Sequence, residues 1–417
     1  MLSQRRALDC FAETSTQPRG SCSLDELFEE YNVRLPDTSS GSAVVMGTLR
    51  EDALLQQCWK SLPRQVALKV YYAYSPRKRR VIEVEVELYK VMNELFLDYW
   101  TPHVVLYVDD WQCGLGTLFS DASAQLRDKL NARKQRVRQT SGKERRKAQQ
   151  QLEALAEFLA VPQSTSARVI MLERGEADVY TWIESGRLTS ADLNAILFQV
   201  VWSLYIFDRI GLRHGDLHPG NVLVDFTSAV QTIAYVPQPS EELAEYYELS
   251  SRFMSKIFDW DWGGIYGGDG SNGGTALANP KARKHCATMS TCGRNAKADL
   301  YTFLSAVHAF ARGARFLDTR AKIAEIIDPE LLEFAPRFKD FGGEKHRLCR
   351  GPLADDCSAD FLGEQCAGAW EPPDCLVLSP LEALAILAPT QKRLPRKPST
   401  KEVYGYFMET EERERFI

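Results

Sequence analysis

Apolar residues recur along the chain with a period of two in some stretches and of about 3.6 in others, which predicts strands and helices respectively. Runs rich in β-branched residues predict strands at 65–72, 103–108 and 167–172. Helical spacing predicts helices at 23–31, 81–97, 177–185 and 189–207, the last with a wide apolar face. Residues 35–47 predict a strand, a turn of small residues around Gly41 and a second strand. Strands are therefore expected early in the chain and mainly helices later.

Composition and charge exclude several classes of protein. The 417 residues are 44% hydrophobic and 26% charged, as in soluble globular proteins. The net charge of -5 argues against binding of nucleic acid or anionic membranes by the whole protein. No apolar run is expected to reach the ~20 residues of a membrane span, and we expect no membrane partner. Ten cysteines without a signal-peptide core predict reduced thiols in an intracellular compartment.

A basic insertion at about residues 114–166 separates two of the predicted strands. Ten Lys and Arg residues lie between positions 127 and 147, against only Asp128 and Glu144. A solvated helical excursion is the favoured interpretation, because no aromatic residues are interleaved to stack on bases. A helical hairpin that contacts nucleic acid or an acidic partner stays open as the alternative.

The sequence His-Gly-Asp-Leu-His-Pro-Gly-Asn at positions 214–221 carries the strongest chemical signal. Asp216 precedes Asn221 by five residues, on a turn that Pro219 and Gly220 make tight. A carboxylate there can orient or deprotonate an attacking hydroxyl, and the Asn221 carboxamide can offer an oxygen to Mg²⁺. This pattern predicts phosphoryl transfer.

Residues of the first predicted strands and the helix after them fit a phosphate-binding role. Lys69 interrupts an apolar strand, and a buried ammonium needs partners such as phosphate oxygens and a glutamate. Glu85 lies beside the apolar stripe of the next helix and is the candidate glutamate. Leu172 is expected at the back of a nucleotide pocket, where the backbone of Glu173 and its neighbours is free to bond an adenine edge. Small residues around Gly41 would let backbone N–H groups approach the phosphates closely, with a plain hairpin as the alternative. The alternative for Lys69 is a lysine at a strand edge that reaches water.

Two aspartates after the strand at 257–258 compete for a metal role. Asp259 ends the strand, which fixes its carboxylate, so it is favoured over Asp261, the first residue of an Asp-Trp-Gly sequence. Asp261 is a candidate second ligand. Asp299 is a candidate N-cap for the helix predicted from about residue 297. Residues 238–255 are expected to be a polar excursion.

The ordered set of Lys69, Glu85, the Glu-Arg-Gly at 173–175, the 214–221 sequence and the Phe-Asp-Trp-Asp at 258–261 resembles the protein kinase superfamily, over roughly residues 34–310. Within it, the chain resembles divergent protein kinases of large DNA viruses. The resemblance implies an α+β bilobal kinase-like fold: a β-rich N-lobe at 34–172, then a hinge and mainly helical C-lobe at 173–417, after an extension at 1–33. It makes Asp216 the catalytic base, gives Mg²⁺ to Asn221 and Asp259, and gives the ATP phosphates to Lys69, which Glu85 positions. It also makes Asp299 the aspartate that ties the backbone of the 214–221 loop to a central helix.

Two departures from the kinase pattern bear on the substrate. Gly215 replaces the usual arginine, and His218 replaces the lysine that steadies the transferred phosphoryl group in Ser/Thr protein kinases. His218 can donate a hydrogen bond to the same oxygen and is therefore a candidate catalytic residue. This version of the loop is also similar to aminoglycoside and choline kinases. We predict a Ser/Thr protein kinase that transfers the γ-phosphate of Mg·ATP to a protein. A small-molecule kinase and a pseudokinase scaffold are the alternatives.

Two further expectations concern location and metal. An intracellular site is expected, which means the host cytoplasm or the virion if the chain is viral. Zinc binding stays open, although free or packed thiols are favoured, for a C-terminal set without a Cys-x-x-Cys pair: His346, Cys349, Cys357, Cys366 and Cys375.

Overall fold

The structure, a computed structural model, describes residues 22–34, 42–50, 65–72, 76–237, 245–266, 275–278, 296–333, 377–388, 391–393 and 403–405. They belong to two units. The first contains the described residues up to Arg79 together with Leu106–Arg174. The second contains Arg80–Val105 and the described residues from Gly175 onward. This division differs from the predicted lobes, because the helix that carries Glu85 belongs largely to the second unit.

The first unit is built on a five-stranded antiparallel sheet. Its elements are α1 (Leu24–Leu27), β1 (Phe28–Arg34), β2 (Ser42–Leu49), β3 (Gln65–Tyr71), the start of α2 (Pro76–Leu97), β4 (Tyr107–Gly114), α3 (Leu115–Leu118), α4 (Ser123–Gln139), α5 (Gly142–Ala160) and β5 (Ser166–Glu173). The strand order is β1-β2-β3-β5-β4. Alternating buried and half-buried positions in β2 and β3 show that one face is packed, as the period of two predicts.

Two sequence expectations in this part of the chain are wrong. The helix expected at 23–31 stops at Leu27, and Phe28 begins an edge strand. The strand expected at 103–108 begins only at Tyr107. Val104 instead forms a parallel bridge with Ile257, and Val105 donates to the Ile257 carbonyl. In both cases a long-range pairing outweighs the local pattern.

Cys22 and Cys113 form a disulfide, with Cα atoms 5.9 Å apart. The expectation of reduced thiols is therefore wrong for these two cysteines. They are 91 residues apart in sequence, so spacing gave no signal of the pairing. The other eight cysteines lie outside the described residues. The disulfide also removes the thiol argument for an intracellular location, which stays a prediction.

The second unit is organised around one helix, α7 (Ser190–Arg209), whose residues 193–207 are all buried. The buried amide of Gln199 is satisfied on both sides: its Nε2 donates to the Phe253 carbonyl, and its Oε1 accepts the Ser255 N–H. Elements up to this helix are β6 (Ala177–Asp178), α6 (Val179–Glu184) and α7 (Ser190–Arg209). As predicted, Thr189 caps α7, in a capping box with Asp192.

The remaining elements of the second unit include more strands than expected. The predicted excursion at 238–255 is wrong for its described part, because 245–257 forms a strand of a long hairpin. The elements are β7 (Leu212–Arg213), β8 (Val222–Val236), β9 (Glu245–Ile257), β10 (Gly264–Tyr266), β11 (Thr275–Ala278), α8 (Ala296–Phe310), α9 (Leu317–Ile326), α10 (Pro329–Glu333), α11 (Pro380–Leu387), β12 (Gln391–Arg393) and β13 (Val403–Gly405). The strand orders of the two sheets are β12-β9-β8-β13 and β11-β10-β7.

The class of fold is α+β, as predicted: a β-rich first unit, then a larger unit that contains most of the other helices. Among the described helices, α7 is long and apolar enough to span a membrane, with a mean hydropathy of 1.3. The expectation that no apolar run reaches that length is therefore wrong. Since 78% of this apolar window is buried inside the protein, we interpret α7 as a core helix.

Candidate functional site

The 214–221 loop connects β7 to β8 in the second unit and contains a turn of 3₁₀ helix at Pro219–Asn221. His218 caps this turn, since its Nδ1 accepts the Gly220 N–H at 3.0 Å. The Asn221 N–H donates to the His218 carbonyl at 2.8 Å. The Pro-Gly turn predicted from sequence therefore fixes the backbone between Asp216 and Asn221.

A buried carboxylate from a distant helix holds the start of the loop. Asp299, in the first turn of α8, accepts the His214 N–H at 2.8 Å on Oδ2 and the Gly215 N–H at 3.0 Å on Oδ1. Asp299 is only 4% exposed, so both bonds form in a poorly solvated place. Of the two roles considered for Asp299, the tie between loop and helix is confirmed.

His214 joins the loop to the end of β9. Its ring is buried, its Nε2–H donates to the Phe258 carbonyl at 2.8 Å, and its Nδ1 accepts the Asp216 N–H at 3.3 Å. The ring also packs on Trp260, with centroids 4.7 Å apart. Both ring nitrogens therefore hold backbone groups, one in the loop and one at the end of the strand.

Gly215 has a structural reason to be glycine. Its φ is +77°, and a Cβ placed there would lie 2.7 Å from the Trp262 carbonyl oxygen. An arginine at this position would be strained and would overlap with backbone. The departure from the kinase pattern at this position therefore follows from the close approach of residues 261–263.

Asn221 connects the predicted base to the predicted metal ligand. Its Nδ2 donates to the Asp216 carbonyl at 2.9 Å, and its own carbonyl accepts the Phe258 N–H at 3.1 Å. This bonding fixes the amide orientation, and among the described residues no donor bonds to Asn221 Oδ1. Asp259 follows Phe258 directly, so the loop and the strand end bring Asp216, Asn221 and Asp259 into one cluster.

Asp259 has an unusual backbone conformation, with φ at +70°. Its N–H donates to the hydroxyl of Tyr89 at 3.0 Å. Left-handed backbone at a residue other than glycine is uncommon and is often found at functional sites. Asp261 lies two residues further on, in a turn closed by the Gly263 N–H bond to the Trp260 carbonyl at 2.9 Å.

Glu85 lies on the same helix as Tyr89, one turn earlier. Its side chain is 0% exposed, as are Leu88 and Tyr89. A fully buried glutamate requires a partner, because an isolated charge is costly to desolvate. The same helix is anchored within the second unit through Tyr89, because the Tyr89 hydroxyl accepts the Asp259 N–H.

Tyr180 adds an aromatic wall beside the loop. Its ring stacks on His218, with centroids 6.3 Å apart, and meets Phe310 edge-on at 4.6 Å. The Tyr180 hydroxyl is buried and has no hydrogen-bond partner among the described residues. Burial raises its pKa, and the carboxylates of Asp178 and Asp216 raise it further.

In the first unit, Lys69 and Leu172 share one face of the sheet. Lys69 pairs with Ile170, and Ala67, two residues earlier, pairs with Leu172. Lys69 is half-buried, and its Nζ lies 5.4 Å from the centre of the Tyr71 ring. The strand-edge alternative for Lys69 is wrong, because β3 lies between β2 and β5.

Glu173 ends β5 in a way that corrects the hinge prediction. Its N–H donates to the Leu106 carbonyl at 2.9 Å, and the Arg174 N–H donates to the Gln65 carbonyl at 3.4 Å. These two donors are therefore not free to bond an adenine edge. The Glu173 carboxylate is buried and accepts the Leu106 N–H at 3.4 Å.

Some predicted site residues lie outside the described part of the chain. Gly41 is one of them, and so are the five residues of the C-terminal His and Cys set. Within the described ranges, no group of three or more His, Cys, Asp or Glu residues is placed to hold a metal ion. The oxygen atoms of Asn221, Asp259 and Asp261 are nevertheless the donor type that Mg²⁺ prefers, and Mg²⁺ commonly uses one or two carboxylates together with phosphates.

Comparisons with known proteins add little. The sequence matches no family model and none of the curated proteins. One similar solved structure is the crystal structure of a Plasmodium kinase domain, at 12% identity, covering 76% of this chain and 75% of that one. Its TM-score is 0.32, which is too low to carry an argument. The resemblance to kinases therefore rests on the sequence motifs of this chain.

Sequence reasoning missed two site residues. Tyr89 is the first, although its position four residues after Glu85 places it on the same face of the helix. Tyr180 gave no sequence signal, because its contact with His218 joins residues 38 positions apart.

Proposed function

We propose that the chain is an ATP-dependent phosphotransferase, and that its substrate is a Ser or Thr hydroxyl of a protein. The observation that carries the proposal is the 214–221 loop, in which Asn221 binds the Asp216 carbonyl and also pairs with the backbone next to Asp259. Phosphoryl transfer depends mainly on positioning and on charge stabilisation, so a loop held at both ends suits it.

Each site residue has a role in this proposal. Asp216 accepts the proton of the attacking hydroxyl. Lys69 holds phosphate oxygens, and Glu85 orients Lys69. His218 donates from Nε2, because its Nδ1 is already an acceptor. Asn221 Oδ1 and the carboxylates of Asp259 and Asp261 would hold Mg²⁺, which when bound offsets the phosphate charge.

A small-molecule kinase is the second candidate, and one observation favours it. The Gly215 backbone fits against Trp262, which leaves no space for the arginine that clamps an activation-loop phosphate in many protein kinases. The similarity of this loop to those of aminoglycoside and choline kinases supports the same alternative. From the resemblance to viral kinases, we propose the host cytoplasm or the virion as the place of action.

The test is transfer of radiolabelled γ-phosphate from Mg·ATP to a panel of basic and acidic proteins, and to aminoglycosides and choline. The wild type is compared with Asp216→Asn, which removes the base and keeps the shape. Glu184→Gln is the matched control, since it makes the same chemical change on an exposed residue of the second unit. We expect Asp216→Asn to lower transfer by about two orders of magnitude or more, and Glu184→Gln to leave it unchanged.

The substrate panel separates the candidates. Transfer to proteins that is lost in Asp216→Asn supports the protein kinase, and transfer only to the small hydroxyl compounds supports the second candidate. A folded wild type that binds ATP but transfers phosphate to nothing would overturn both and leave a scaffold role.

A further inference from the structure

The helical hairpin formed by α4 and α5 is docked to the first unit at its base. Gln125 Nε2 donates to the Tyr31 carbonyl at 3.3 Å, and Gln125 Oε1 accepts the Val33 N–H at 3.2 Å. Lys129 donates to Asn32 Oδ1 at 2.6 Å and also bonds the Val33 carbonyl. The base of α4 thus satisfies polar groups of the edge strand β1, which gives this part of the hairpin a structural role.

The distal part of the hairpin has no such structural role. The apolar side chains that anchor the hairpin, Leu126, Leu155 and Phe158, all lie near its base. Residues 134–147, which we name the basic tip, contain only Val137 as a larger apolar residue, and it is half-buried. The tip therefore buries little of its own surface, and packing does not explain its composition.

The basic tip concentrates positive charge. Its 14 residues contain seven cations and one anion, Glu144, in a chain of net charge -5. All seven cations are exposed. No acidic side chain among the described residues pairs with six of them: Lys134, Arg136, Arg138, Arg145, Arg146 and Lys147.

This arrangement destabilises the hairpin by itself. Lys134 and Arg138 are four residues apart on α4, and Lys143 and Lys147 are four apart on α5. Like charges at that spacing on a helix repel by about 0.2–0.5 kcal/mol per pair. Lys143, Arg145 and Arg146 also lie at the N-terminal end of α5, where the helix dipole disfavours cations. An external polyanion would relieve this repulsion.

The side chains of the tip distinguish between kinds of polyanion. A protein interface generally needs apolar or aromatic anchors, and no exposed one is present in the tip. Single-stranded nucleic acid is usually held by base stacking, but no aromatic residue lies between Phe119 and Phe158. What remains is a set of Arg and Lys with neutral donors such as Gln135, Gln139 and Ser141, the residue types that contact phosphates.

We propose that the basic tip binds double-stranded nucleic acid through its phosphates, without reading the base sequence. The net charge of the whole chain does not oppose this, because charges more than about 8 Å away are screened at physiological salt. Binding of this kind depends steeply on salt, since each neutralised phosphate releases counterions.

The experiment measures fluorescence anisotropy of labelled duplexes of about 20 base pairs with the full chain, from about 50 to 200 mM salt. DNA and RNA duplexes, a single strand of the same length and a polyglutamate peptide are compared. For the wild type we expect duplex affinity to fall with salt with a log–log slope of about -4, corresponding to roughly four or five phosphate contacts.

Two matched triple variants locate the binding surface. Arg136, Arg138 and Arg145 are changed to Gln in one, and the exposed Arg187, Arg252 and Arg312 of the second unit in the other. Both lower the net charge equally, and circular dichroism checks that both fold. We expect the tip variant to bind at least about 10-fold more weakly with a slope shallower by about 2–3, and the control to stay within about twofold.

Either duplex binding more tightly than the single strand and the peptide supports the proposal, and the preferred duplex identifies DNA or RNA. Equal or tighter binding of polyglutamate would make the partner an acidic protein and overturn it. Absence of duplex binding at about 50 mM salt, or equal losses in the two triple variants, would overturn it too. None of these results depends on kinase activity.

Discussion

Acidification should weaken the second unit through His103. This residue is fully buried, with Nδ1 bonded to the Ser255 carbonyl at 3.2 Å and Nε2 to the Tyr235 hydroxyl at 2.8 Å. Burial lowers its pKa to about 3, and the nearby Lys256 charge contributes in the same direction, against the Ser255 bond. The folded protein therefore keeps the neutral ring at pH values where an unfolded chain protonates it.

The size of the effect follows from the two pKa values. Between the folded pKa of about 3 and the ordinary value of 6.5, the unfolded state binds a proton that the folded state does not. Stability is therefore fully present above pH 6.5 and falls as the pH is lowered. At pH 5 the loss is about 2 kcal/mol, from 1.36 kcal/mol per pH unit below 6.5.

Urea unfolding followed by tryptophan fluorescence measures this loss, because Trp202 contacts the Tyr235 ring, with centroids 5.0 Å apart. His103→Gln cannot titrate, so the stability difference between wild type and variant should shrink by about 2 kcal/mol from pH 7 to pH 5. The control is His308→Gln. Burial also lowers the pKa of this half-buried histidine, but the change of its stability difference between pH 7 and pH 5 should be smaller than for His103. A His103 difference that stays constant with pH would refute the reasoning.

Three further predictions concern the candidate site. Asp299→Asn places an NH₂ group against a backbone N–H, which should lower the free energy of unfolding by about 1–3 kcal/mol in urea. Because the 214–221 loop then loses its support, the rate of phosphate transfer should fall by at least about tenfold. A variant with full stability and full transfer activity would contradict this. Gly215→Ala should destabilise by about 2 kcal/mol more than Gly142→Ala in thermal unfolding, because Gly142 also has positive φ but nothing within 4 Å of its Cβ position. Tyr180→Phe removes a buried hydroxyl without a partner, so urea unfolding should show stability unchanged or raised by up to about 1 kcal/mol, and a clear loss would reveal a missing partner.

Local patterns predicted much of the fold. The alternation around Lys69 gave β3, and the apolar repeat after Thr189 gave α7, because burial of one face or of a whole helix leaves a periodic trace in sequence. The tight turn at Pro219 and Gly220 was also predicted, since these residues restrict the backbone by themselves.

Long-range contacts were not predictable in the same way. The strand from Phe28, the hairpin strand at 245–257 and the Cys22–Cys113 disulfide depend on partners far along the chain. At the site, the resemblance suggested Asp299 but not that it bonds both His214 and Gly215. Spacing alone does not encode which distant groups meet.

The chain passes between its two units three times, after Arg79, Val105 and Arg174. During synthesis, β3 emerges long before β5, its neighbour in the sheet, so the backbone edge of β3 that faces β5 stays unpaired until residue 173 is made. Helix α2 likewise waits for Asp259 to bond Tyr89. Neither unit is one continuous segment, so a fragment ending at residue 105 would carry an open strand edge and tend to aggregate.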